Sequence, residues 1–322
     1  MNRWNHILAA LLFAVPVLAS ARPAQAAGGV WLQRHDLPAA ARAALYSAVS
    51  AEKARNPSAF EAVAQIKGCT LAGYSQTRLG KPLCGRELRV GKGEWLLPLL
   101  SALALQEPRA ANGHVPYATA EERQAFAAGA IEAVGLLRDE RAREVLHAAF
   151  TVAPAGQMAD NAAEALGRLG GDRELATLVQ SAKTPVRLQS ALRGLGECKR
   201  IEAAKAIALG LAAAKSPNEV TLWANAAGRV ASSWAWQAMV RAAPARATEA
   251  SDVRTVAARA LAEAMATTVD AVAVEELVQA LQMTEHPQAV AMLAEVRGKT
   301  APAHHARFAM ASQRVADYLK RN

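Results

Sequence analysis

The chain has 322 residues, 52% of them hydrophobic and 5% aromatic, and its 37 Lys and Arg against 28 Asp and Glu give a formal net charge of +9. The charges are interspersed and form no long run of one sign. That argues against nucleic acid as a partner, and fits either a helical surface kept soluble by mixed charge or a moderately basic face for an acidic protein, lipid or glycan.

At the N-terminus Arg3 supplies a positive start, Ile7 to Leu18 form an apolar run of 12 residues, and Ala24-Gln25-Ala26 is an A-x-A cleavage signal. Together they read as a secretory signal peptide over residues 1–26. The run falls short of the about 20 residues that cross a bilayer, and Pro16 interrupts it, so cleavage is expected rather than anchoring. Losing Arg3 and Arg22 takes the net charge from +9 to +7. The remaining chain is expected in an exported space, periplasmic or secreted. There Cys69 and Cys84 are the natural disulfide, a closure that contributes about 3 kcal/mol in the chain-entropy model. Cys198, in the turn Gly196-Glu197-Cys198-Lys199, is left as a buried free thiol. The spacing of the three cysteines does not suit a zinc knuckle.

Residues 27–118 read as an N-terminal helical region. A helix is expected from Asp36 to Arg55, and a second opens with Asn56 as cap and Pro57 in the first turn and stops at Gly68. Glycines at 68, 73, 80, 85, 91 and 93 make the stretch from Gly68 to Gly93 an irregular insertion. A helix from Glu94 to Gln106 and a loop from Glu107 to Tyr117 follow. Thr119 and Glu122 then form a capping box that opens the first of a series of repeats.

Over residues 119–320 an Ala-rich phrase returns, with Val134, Leu166, Leu192, Ala227, Leu261 and Leu293 at spacings of 32, 26, 35, 34 and 32 residues. Such a period marks stacked two-helix units, here 119–150, 158–183, 185–214, 216–244, 251–283 and 286–320. Breaks at Pro154-Ala155-Gly156, Pro185, Pro217, Pro244 and Pro287 separate the units. Within them apolar residues keep helical spacing, as in Leu175-Leu178-Val179-Ala182 and Val274-Leu277-Val278-Leu281. The predicted fold is all-α, an α-solenoid of stacked helical hairpins with a short irregular N-terminal insertion.

The segments Ala162 to Asp172 and Asp252 to Leu261 resemble the bacterial HEAT-like repeat, the type also seen in phycobilin lyases, whose pattern is roughly V-R-x-x-A-A-x-A-L-G-x-I-G-D. The likeness covers about residues 119–297 and departs where Ala262 replaces the Gly and Val186-Arg187 sits one residue out of register. It implies a right-handed solenoid and a protein-binding role. It does not imply lyase activity.

No motif carries recognisable chemistry. Gly85 to Gly93 has five residues between its glycines where a phosphate loop has four, and Gly93 stands where Ser or Thr is required. His304 and His305 are neighbours on a helix and diverge by about 100°, so they cannot chelate one ion together. No catalytic residue, cofactor or metal is expected. Arg168 and Arg229 follow the repeated Gly and are read as a solvated face. The best local candidate is the helix from Ser233, whose inward stripe should be Trp236, Met239, Val240 and Ala243. Trp234, Gln237 and Arg241 should project together from the other side, and Trp and Arg are common binding hot spots. The expected function is an exported, non-enzymatic scaffold binding a protein or peptide on its concave surface. A basic module docking on acidic lipid or glycan is the alternative, and an enzyme with a site in residues 68–93 the third reading.

Overall fold

A computed structural model describes residues 29–66, 69, 88, 92–105 and 119–321, and within them every regular element is helical. The proposed signal peptide, Cys84, most of the insertion and the loop before Thr119 lie outside the described residues. No helix among the described residues is long and apolar enough to cross a membrane.

The N-terminal region holds α1 (Ala39–Arg55), α2 (Pro57–Ala64) and α3 (Leu96–Ala104), the last preceded by a 3-10 turn at Gly93–Trp95. Pro38 immediately precedes α1 at φ −52°, so the helix starts three residues later than Asp36. All nine residues of α3 are buried, and it packs on both α1 and the helix that follows. The described residues between 29 and 105 therefore share one apolar core with the helices after Thr119.

From Thr119 the helices fall where the Pro and Gly breaks put them: α4 (Ala120–Leu137), α5 (Arg143–Val152), α6 (Gln157–Leu169), α7 (Asp172–Ser181), α8 (Pro185–Glu197), α9 (Ile201–Ala213), α10 (Pro217–Val230), α11 (Ser233–Ala242), α12 (Ala247–Ala264), α13 (Ala271–Thr284), α14 (Ala289–Arg297) and α15 (His305–Arg321). The Thr119 capping box is formed: Glu122 N–H donates to Thr119 Oγ1 and Thr119 N–H to Glu122 Oε2, both at 3.1 Å. Pro185 and Pro217 occupy first-turn positions where no N–H is needed, and Gly170 ends α6 at φ +66°.

The small residues of the repeated phrase lie between alternate helices, where α4 meets α6 and α6 meets α8. A Cβ on Gly135 would sit 2.5 Å from that of Ala165, and one on Gly194 would sit 2.5 Å from the Ala163 carbonyl oxygen. Backbones approach this closely only where side chains are absent or small.

The packing departs from a simple stack of six equivalent hairpins. Helices α4, α6, α8 and α10 pack in series, and the next helix against α10 is α13, followed by α15. On the other side α9 is followed by α12 and then α14. The fourth unit is thus not a regular hairpin: α11 packs on the 3-10 turn Pro244–Arg246 and on α12, and the chain re-enters with the roles of the two helices exchanged. The phrases around Leu261 and Leu293 accordingly sit in the opposite row from those around Val134, Leu166, Leu192 and Ala227. The change leaves α11 outside both rows.

Candidate functional site

Two features near the exchange point are candidates. The first is α11 itself. Trp234 is 77% exposed, and Gln237 and Arg241 are exposed three and seven positions later on the same side of the helix. Gln237 Nε2 donates to Ser233 Oγ at 3.2 Å. Trp236 points the other way and is 2% exposed, its Nε1 donating to the Val230 carbonyl at 2.8 Å, with the Arg246 guanidinium 4.9 Å above its ring. Met239 and Val240 are half-buried as the inward stripe requires, whereas Ala243 is exposed because α11 ends at Ala242. Trp223, on α10, covers Gly210, where a Cβ would lie 2.3 Å from its ring. Of the three clustered tryptophans, only Trp234 projects into solvent.

The second is an ionic network across α6, α8 and α10. The expectation that Arg168 and Arg229 form a solvated face is corrected here. Their side chains are only 12% and 19% exposed, and both engage Glu164 and Glu197. Arg229 Nη2 lies 3.0 Å from Glu164 Oε1 and 2.5 Å from Glu197 Oε1. Arg193 continues the network to Asp160 at 3.1 Å, and Ser190 Oγ donates to the same carboxylate at 2.6 Å. Burial alone would raise the Glu197 carboxyl, but the charges of Arg168, Lys199 and Arg229 outweigh it and hold Glu197 at about 2. Lys199 is lowered too, to about 8, chiefly by burial, which for a lysine favours the neutral form. The network escaped sequence reading because its partners are up to 65 positions apart. One signal was available: Glu164 and Arg168, like Arg193 and Glu197, are four apart and share a helix face.

A cleft of about 470 Å³ opens beside this network. It is lined by Arg138 at the end of α4, Gly167 to Gly170 at the end of α6, Glu197, Lys199 and Arg200 at the turn into α9, and Met239, Arg246 and Glu249. Farther along, Glu174 on α7 is wholly buried, 2.8 Å from Arg143 Nε and 3.0 Å from His147 Nε2, clamping α7 to α5.

Cys198 is free and buried, and burial pushes its thiol up to about 11, which leaves it a poor nucleophile near neutral pH. Cys69 is buried in the core, and its expected partner Cys84 lies outside the described residues. His304 and His305 do not share a ligand set, and among the described residues no group of three or more His, Cys, Asp or Glu could hold a metal ion. The glycine-rich segment 85–93 is described only at Leu88, Lys92 and Gly93. No protein-family model matches the chain, and no curated protein sequence matches it.

Proposed function

We propose that the protein is an exported, non-enzymatic scaffold of HEAT-like helical repeats that recognises a protein or peptide partner through the outer face of α11. The observation that carries this reading is Trp234. An indole left 77% exposed gains little from folding, beside a Trp236 that is buried and hydrogen-bonded on the same helix. Gln237 and Arg241 supply polar anchors next to it, an arrangement suited to a partner segment that offers an apolar side chain to the indole and a carboxylate to the guanidinium. The surplus of basic residues over the whole chain favours such an acidic segment. This face lies outside both helix rows, so the reading differs from one that places the partner on a concave surface.

The test is capture from the exported fraction with wild-type protein and a Trp234→Ala/Arg241→Ala double variant in parallel. A protein retained by the first and lost by the second supports the reading. Identical retention by both contradicts it, and capture that falls steeply with salt while ignoring the double variant favours docking on an acidic lipid or glycan.

A further inference from the structure

The cleft between the ends of α4, α6 and α8 and the start of α12 carries more positive charge than its own carboxylates match. In the adjoining network Asp160, Glu164 and Glu197 face Arg168, Arg193 and Arg229, three against three. Arg246 is matched by Glu249 at 2.8 Å, and Arg200 by Asp172 and Glu202. Two cations of the lining remain. Lys199 donates from Nζ to the carbonyls of Gly196 and Arg229, both neutral acceptors. Arg138, exposed at the mouth, makes no ion pair among the described residues. Burial lowers Lys199 most, Glu197 favours its charged form, and Arg229 and Arg138 work against it, so Arg138 and Lys199 share one electrostatic field. Arg168 adds a guanidinium nitrogen, Nη1, that is buried without a hydrogen-bond partner.

The bland account is that basic residues gather here to complement three helix C-termini, each worth about half a negative charge. It covers part of the surplus. Lys199 and Arg200 do bond terminal carbonyls, those of Gly196 and Gly170. Yet the Asp172 carboxylate that balances Arg200 is 92% exposed, so solvent screens much of its charge, and Arg138, at the C-terminus of α4, has no carboxylate partner among the described residues.

We infer that this cleft is a binding site for a dianionic phosphate group, held between Arg138 and Lys199 with Arg200 and Arg246 on either side. A phosphate monoester carries close to two negative charges at neutral pH, which matches the two unpaired cations, and guanidinium groups donate to it in pairs. The volume leaves room for a small phosphorylated molecule or for the headgroup of an anionic lipid. The inference does not depend on the α11 reading, since Trp234 and Arg241 do not line the cleft.

The test is calorimetric titration of the full chain with glycerol phosphate, a dianionic phosphate monoester, against sodium chloride of equal ionic strength. Arg138 sits at φ +53°, a conformation Asn tolerates, so Arg138→Asn removes the charge without straining the turn. Saturable one-site binding is expected, weakened about tenfold in Arg138→Asn and unchanged in Lys183→Ala, an exposed lysine outside the lining. Trp234→Ala/Arg241→Ala should bind glycerol phosphate like wild type, so failure here and failure of the α11 reading are separable. Vesicles containing phosphatidic acid, whose headgroup is a phosphate monoester, that sediment with wild type but not with Arg138→Asn would assign the group to a lipid. Glycerol phosphate binding without sedimentation would assign it to a soluble ligand. Heats that do not saturate, or equal affinity in Arg138→Asn, overturn the proposal.

Discussion

Gly167 and Gly194 meet at the contact between α6 and α8, where a Cβ built on Gly167 would lie 2.0 Å from the Gly194 carbonyl oxygen. The atom in the way is backbone, so no rotamer change relieves it. Gly167→Ala should force the two helices apart and destabilise the fold by about 2 kcal/mol, read as a lower Tm or denaturation midpoint. Gly93→Ala is the control, because nothing lies within 4 Å of its added methyl. Equal melting of both variants would show that the repeated glycine does not set the packing.

Glu197 should leave a signature in acid. Its folded pKa is depressed, so its contribution is complete above the ordinary carboxylate range of about 4.5 and is lost as pH falls towards about 2. The implied contribution is of order 3 kcal/mol. Measured between these limits, wild-type stability should fall more steeply than that of Glu197→Gln. The variant should also be the less stable at pH 7, because it leaves Arg168 and Arg229 short of a buried partner. Parallel stability curves would contradict the assignment.

The helix positions were legible because Pro, Gly and one capping box punctuate them, and those signals act locally. The exchange of rows at α11 was not. The small and aliphatic phrase marks a closely packed helix in either row, so periodicity aligned Leu261 with Leu192 although α12 and α8 belong to different rows. The direction of Trp234 followed from helical geometry alone. The pairing of Arg229 with Glu164 did not, since a charged residue opposite an apolar stripe reads as solvated until a neighbouring helix is placed against it.

The cysteines make a simpler test. With Cys69 joined to Cys84, the denatured, unreduced mature protein should titrate one thiol, from Cys198. In the native state that thiol should react slowly with iodoacetamide at pH 8, since it is buried and held at about 11. Three thiols after denaturation would rule the disulfide out.

Trp236 and Trp234 should separate folding from recognition. Trp236→Ala removes a buried ring and its bond to Val230, and should cost roughly 3 kcal/mol in stability. Trp234→Ala should leave the melting temperature within about a degree of wild type, because surface changes of this kind are close to neutral.

The most direct test of partner recognition through α11 is the Kd of Trp234→Ala/Arg241→Ala for the captured partner, measured beside its melting temperature. Loss of about 2 kcal/mol of binding, roughly thirtyfold in Kd, with unchanged melting is the predicted result. An unchanged Kd, or a double variant that melts as early as Trp236→Ala, would contradict it.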